Sequence, residues 1–309
     1  MAFLKGFGAW LPNRVVSNEE MAALTGSSPH WIFNVSGIEE RRFAADETVA
    51  DLAVSAAQDC LARSGVPASA LGMVIVASGT AERNFPGPAV AVANRLGLTG
   101  PPALDIPLPS AGALVALALA ARLAPEYGHI LVIGADKMSP VVTRQPIEPG
   151  IAVLFGDGAG ACVVSADSGA AEILESAIYT DGAFADDLRL SFDSPLHMNG
   201  RAVIMQASRK IPRAIAEVLE RRKIAPCDVD TFLMHQANQN LIDGVARALS
   251  VPSSRFYSNI RRYGNTSAAS MLIAASEWSQ SAGFRRDRPV VLAGFGAGFH
   301  WGAMLLKGA

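Results

Sequence analysis

Residues 105–121, DIPLPSAGALVALALAA, decide how this chain reads. Leu104, Ile106 and Leu108 alternate as strand residues do. Pro107 and Pro109 donate nothing to a ladder, so the strand ends there. From Ala111 to Ala121 every residue is apolar or Gly. A helix that is apolar all round is buried, and a run this short makes a core helix rather than a membrane span. Ser110 therefore stands at the positive N-terminus of a buried helix, where free N–H groups favour a developing negative charge. Taken alone, Ser110 reads as a helix cap.

Outward from this stretch, buried strands alternate with helices. Residues 73–77, 129–135 and 151–155 are short apolar runs of the buried-strand kind, and 156–160 (GDGAG) reads as a glycine turn into a strand over 161–165. Its spacing is wrong for a dinucleotide fingerprint, and a strand follows where a helix should. The N-terminal segment reads as a first strand, followed by a short helix capped by Ser17. An amphipathic helix over 47–64 is closed by Gly65. A loop spans 84–88 and a helix 89–96. The second half has the same alternation, with a strand over 170–179, a polar loop region over 181–198, and a helix over 208–222. A strand over 229–234 ends in His235. Helices over 240–249 and 267–279 and strands over 289–293 and 303–306 follow. Both halves imply an α/β fold with a covered sheet. No low-complexity linker separates them, so they are expected to share one interface and one site.

The totals narrow the function. The chain has 309 residues, 50% hydrophobic and 17% charged, with 28 glycines and a formal net charge of −2. That is enough chain for a large core or two fused ones. Basic residues form only short runs, so nucleic acid is not an expected partner. No basic segment followed by a long apolar stretch opens the chain, so secretion is not indicated. Three widely spaced cysteines, Cys60, Cys162 and Cys227, suggest neither a disulfide framework nor a zinc site; each reads as a small buried apolar residue in a reducing cytoplasm.

Three polar residues share one design, a buried strand ending in a group with chemistry: Ser110, His235 in MHQAN, and Asn265 in RRYGNTSAAS. The C-terminal edge of strands in α/β sheets is where ligands bind. Singly, a His after a strand is a structural residue and an Asn before a helix a cap. Together they make a nucleophile, a base and an orienting amide. The run 295–299, FGAGF, can present backbone N–H groups to an oxyanion.

These motifs resemble β-ketoacyl-acyl-carrier-protein synthase III, a thiolase-fold condensing enzyme, nearly end to end. They include WIFNVSGIEERR (31–42), NFPGP (84–88), LDIPLPSAGA (104–113), LFGDGAGA (154–161), HQAN (235–238), GNTSAAS (264–270) and GFGAGFHWG (294–302). The resemblance implies a duplicated αβαβα five-layer core, with a half carrying the nucleophile (1–166) and a half carrying His and Asn (167–309), usually as a homodimer. It implies that Ser110, standing where the family has a cysteine, accepts an acyl group from acyl-coenzyme A. His235 and Asn265 then hold the thioester of malonyl-acyl-carrier protein during decarboxylative condensation, in fatty-acid or polyketide-type synthesis. The backbone N–H groups of Ser110 and Ala297 form the oxyanion hole. Trp31 stacks on the coenzyme A adenine, and Phe85 reaches toward the partner subunit's acyl pocket. No cofactor or metal is implied, coenzyme A being substrate, and a cytoplasmic setting without membrane attachment is expected.

The departures are specific. A serine cannot ionise as a thiol does at a helix N-terminus and needs a base such as His235. Ser110 is an engineered replacement of cysteine, a native serine passing acyl groups to a small-molecule or carrier acceptor, or the mark of an inactive subunit. Pro149 stands where the family's second adenine-clamping arginine is expected, with Arg144 nearby as a substitute. Met205, Asn240 and Ala248 stand where basic carrier-docking residues are expected, and Arg247 remains. Acyl chain length and acceptor are not legible.

Overall fold

The computed structural model describes residues 1–191 and 194–309. Phe192 and Asp193, part of the expected polar loop, lie outside the described residues. Ten strands pair in one mixed sheet. In chain order they are β1 (Phe3–Trp10), β2 (Leu71–Ala77), β3 (Ala103–Ile106), β4 (His129–Asp136), β5 (Gly158–Ser165), β6 (Ala171–Thr180), β7 (Thr231–Met234), β8 (Phe256–Tyr257), β9 (Pro289–Gly296) and β10 (His300–Gly308). They lie in the order β8-β7-β9-β10-β6-β1-β5-β4-β2-β3. Read outward from the middle, the halves have the same topology. β5 is antiparallel to β1 and β4, while β4, β2 and β3 run parallel. Likewise β10 is antiparallel to β6 and β9, while β9, β7 and β8 run parallel. The halves join where Leu4 of β1 faces Ala171 of β6.

The period of two along each strand sorts side chains into layers. Met73 and Ile75 of β2, with Val290 and Leu292 of β9, pack on one core with two helices, α2 (Gly112–Tyr127) and α5 (Ser270–Ser281). Val74 and Val76 face the other way, onto α1 (Val49–Ser64). Val291 and Ala293 face α3 (Gly200–Glu220) and α4 (Gln239–Ala248). Both halves of the sheet thus close on α2 and α5, and helices cover their outer faces. This five-layer α/β arrangement is the expected one. The apolar run of α2 follows from its central place, with Ala113, Ala116, Leu117 and Ala120 fully buried, but the helix is not closed in all round: Leu119, Arg122 and Glu126 lie on an exposed side. α1 starts at a capping box, Thr48 with Asp51, and ends at Gly65 in the left-handed region.

The structure corrects several local readings. Residues 151–155 are not a strand: Pro149 opens a short helix, Pro149–Ala152, since its fixed φ suits a first helical turn. Gly158 and Gly160 are not a turn but lie within β5. A Cβ on Gly160 would sit 2.6 Å from Leu272 Cβ and 2.8 Å from Ile273 N, so the glycine lets α5 cross the strand. α3 begins at Gly200, capped by Asn199, rather than at 208. Cys60 and Cys162 are buried, but Cys227 is exposed on the turn Pro226–Asp228. Among the described residues no helix is long and apolar enough to cross a membrane.

Candidate active site

Ser110 sits in the turn between β3 and α2, at φ 60°. The left-handed region costs a non-glycine residue roughly 1–2 kcal/mol. Surrounding contacts hold it there: Ala111 N–H donates to Pro109 O at 2.6 Å, and Gly296 of β9 presses against the turn. A Cβ on Gly296 would lie 2.4 Å from Pro109 O and 2.8 Å from Ala111 N, so only glycine fits. Ser110 does not cap α2. The N-cap position is Ala111, and no side chain bonds there. The cap reading therefore gives way to a strained serine at a buried helix N-terminus, the kind of outlier that gathers at functional sites.

His235 directly follows β7, its N–H donating to Ala293 O at 2.8 Å in continuation of the ladder. It is 2% exposed. Its Nδ1 lies 2.5 Å from Ser270 Oγ, which also accepts from Gln236 N–H at 3.1 Å. The Ser270 hydroxyl can donate to Nδ1, and in that tautomer the imidazole proton is on Nε2. Burial pushes the His235 pKa down to about 3, so the ring is neutral at physiological pH. The Phe295 ring packs edge-on, centroids 5.3 Å apart.

Asn265 follows Gly264, whose φ of 63° turns the chain out of the helix Ile260–Tyr263. Its backbone is pinned on both sides, N–H to Leu154 O at 2.9 Å and O from Gly156 N–H at 3.0 Å. Its Oδ1 accepts Ser267 N–H at 2.9 Å, which leaves the amide NH2 as the free donor.

One short segment gathers all three residues. It begins with Asn265 itself. Ser267 Oγ accepts from Ser110 N–H at 3.1 Å and lies 3.4 Å from Ser110 Oγ. Ser270 holds His235. Ser267 is itself in the left-handed region, at φ 49°. Behind it, the fully buried Asp136 closes β4 and receives Ala268 N–H at 2.9 Å. Sequence reasoning missed Ser267, Ser270 and Asp136. The first two lay inside the GNTSAAS motif, and Asp136 was signalled only by a charge closing an apolar strand.

Two cavities adjoin the turn. A small one of about 50 Å³, walled mainly by apolar groups such as Met138, Phe155 and Leu196, is lined by Ser110, Ser267 and Ala297. A larger cleft of about 1060 Å³ is lined by Phe85, Arg144 and Ala297. Trp31 is not in that lining; it lies 39% exposed on the helix Pro29–Ser36. Arg144 donates to Ser194 O at 3.4 Å. Arg247 is exposed on α4. Asn240 Nδ2 binds the carbonyls of Asn34 and Val35 at 3.1 and 3.2 Å, tying α4 to the Trp31 helix. Met205 is 42% exposed. Among the described residues no cluster of three or more metal-ligating side chains forms.

Comparison with known proteins agrees in both halves. Residues 104–182 match the family described as 3-oxoacyl-[acyl-carrier-protein] synthase III, and residues 219–308 match the C-terminal part of that family. A β-ketoacyl-[acyl-carrier-protein] synthase III of Streptococcus pyogenes is 35% identical over 315 residues, covering 96% of each chain. The crystal structure of a 3-oxoacyl-[acyl-carrier-protein] synthase III from Aquifex aeolicus has a TM-score of 0.95 at 33% identity, covering 99% of this chain and 100% of that one. The priming β-ketosynthase of the R1128 polyketide biosynthetic pathway has a TM-score of 0.91 at 30% identity, covering 99% of this chain and 96% of that one.

Proposed function

The chain belongs to the 3-oxoacyl-[acyl-carrier-protein] synthase III family of condensing enzymes, and on that premise we propose that Ser110 takes a starter acyl group from acyl-coenzyme A and gives it to the carbanion formed from malonyl-acyl-carrier protein. The observation that carries this reading is the segment 265–270, which binds Ser110 through Ser267 and His235 through Ser270 and supplies Asn265.

In the first half-reaction the Ser110 oxygen attacks the thioester carbon and the coenzyme A sulfur leaves. The oxyanion lies toward the helix N-terminus, with the Ser110 and Ala297 N–H groups as its donors. The Ser110 N–H is held by Ser267 Oγ in the free protein, so the oxyanion takes over that donor as it forms. In the second half-reaction the malonyl thioester carbonyl accepts from His235 Nε2–H and the Asn265 amide. Loss of carbon dioxide moves charge onto that oxygen, where both neutral donors become stronger partners than in the ground state. The carbanion then attacks the acyl carbonyl and Ser110 leaves.

Trp31 and Arg144 serve coenzyme A in this reading, and Arg247 serves the carrier protein. No cofactor enters. A second copy of the chain is the natural cover for the exposed edge of β3, bringing Phe85 to its partner's cleft. Met205 and Asn240 bring no charge to positions where the family's docking residues are expected, and on that ground an alcohol or amine acceptor is the second reading.

The test is intact-protein mass spectrometry with acyl-coenzyme A thioesters from acetyl to octanoyl. A gain of one acyl group that disappears in Ser110→Ala is expected. His235→Ala and Asn265→Ala should each slow malonyl decarboxylation by roughly a hundredfold or more. Full decarboxylation in both variants would remove them from the site.

A further inference from the structure

We propose that Glu277 is a positioning residue for the decarboxylation half-reaction: it holds Asn265 in register with His235, so that both donors meet on the malonyl thioester oxygen. This rests on the reading of His235 and Asn265 as the malonyl donors and adds the group that sets their spacing.

Glu277 lies on α5, seven residues after Ser270. Seven residues are close to two turns, so the two side chains share one face of the helix, about 10 Å apart along its axis. Ser270, at the start of α5, meets His235 Nδ1 and accepts the Gln236 N–H. Glu277, two turns on, collects four side chains from the segment that leads to Asn265. Tyr257 Oη lies 3.2 Å from Oε2, and Asn259 Nδ2 donates to the same oxygen at 2.9 Å. Arg262 donates to the two oxygens at 3.1 and 3.0 Å, and Tyr263 Oη donates to Oε1 at 2.6 Å. Asn259 and Tyr263 bracket the short helix Ile260–Tyr263, so the carboxylate grips that helix at both ends. Gly264 and then Asn265 follow directly. The Arg262 guanidinium also lies over the Tyr263 ring, 4.9 Å from its centroid.

A second link closes the frame. Gln236, next to His235 and 1% exposed, accepts the Asn259 N–H on Oε1 at 3.2 Å and donates from Nε2 to Tyr257 O at 3.3 Å. The bonds run in a ring from Ser270 to Gln236, to Asn259, to Glu277 and back along α5. That helix is the stiff side of the ring, with Met271, Leu272, Ala274 and Ala275 buried. His235 precedes Gln236 and Asn265 follows Tyr263 by two residues, so both donors are attached to this one frame.

The chemistry calls for such a frame. Two donors stabilise one developing oxyanion only when both come within about 2.7–3.1 Å of it, and a misplacement of about 1 Å can cost on the order of a hundredfold. A carboxylate suits the post because four donors, one of them cationic, converge on its two oxygens. An amide would turn an NH2 group toward some of those donors. Ser110 is held instead by Ser267 and by the close approach of Gly296, so the acyl half of the site is expected to feel little of this.

The test measures kcat and KM for decarboxylation of malonyl-coenzyme A in Glu277→Gln and Tyr263→Phe, each alone and combined with Asn265→Ala. Acetyl-adduct formation by the two variants is followed in the Ser110→Cys background, where a thiol supplies its own thiolate. Tyr263→Phe removes a single hydrogen bond and reports on the frame even where Glu277→Gln folds poorly. Glu277→Gln is expected to lower kcat about tenfold and Tyr263→Phe about threefold, with KM and the adduct rate within about twofold. Neither change should lower decarboxylation further once Asn265 is alanine, because the effect passes through Asn265. An equal loss in adduct formation, or the same loss with and without Asn265, makes Glu277 merely structural and overturns the proposal. An unchanged kcat in both single variants overturns it too. Full decarboxylation in Asn265→Ala alone, or none in the natural protein, overturns the reading of the donors and this proposal with it.

Discussion

His235 keeps its imidazole neutral because protonating it would place a charge in a closed apolar space, and this links the site to acid stability. Its folded pKa of about 3 lies below the ordinary 6.5. Between those values the unfolded chain holds a proton that the folded chain does not, so folding weakens as pH falls through the window. Against His235→Gln, which cannot titrate, the natural protein should lose roughly 2 kcal/mol of relative stability between about pH 6.5 and pH 5. Urea unfolding of both proteins at the two pH values measures this. A gap that stays constant across the window would show that the ring is solvated. Well above the ordinary histidine pKa the gap should be flat.

At the scale of elements, the site is a meeting of turns. The turn after β3 carries Ser110, the turn after β9 carries Ala297, and Gly296 is where they touch. Gly296→Ala must push the two apart by a substantial part of a bond length. We expect acyl transfer to fall on the order of a hundredfold, with a fold still cooperative on melting. An unchanged rate would mean that the turns move independently. The strand end at His235 was legible because an apolar run stops there, whereas the strand before Ser110 ends at Ile106 and is a half-exposed edge strand rather than a buried one. The apolar run of α2 announced the burial of most of its girth. What lay hidden was pairing across the chain. Gly158 and Gly160 read as a turn because their reason is a helix more than a hundred residues later, crossing at 2.6 Å from where a Cβ would be. Ser267, Ser270 and Asp136 are ordinary in their local runs and gain meaning only through partners far along the sequence. The strand over 151–155 was misread because apolar content alone does not tell a buried strand from a helical turn.

Across the whole molecule, one edge of the sheet is left bare. β3 lies outermost, with Leu104 48% exposed, and Phe85 is 85% exposed. An open apolar strand edge invites a further strand. We expect twice the chain mass in sedimentation, and the single-chain mass together with lowered activity in Leu104→Asp. A single-chain species already fully active in the natural protein would count against a shared site. The cysteines carry a last consequence. Cys60 and Cys162 are sealed in the core, where burial pushes the Cys60 thiol up to about 12 and raises Cys162 as well, and Cys227 is exposed on a surface turn. On the proposed acyl-Ser110 reading, peroxide, heavy metals and alkylating poisons would meet no thiol at the working position, and the chemistry would outlast oxidative attack at the cost of an ester link slower to give up its cargo.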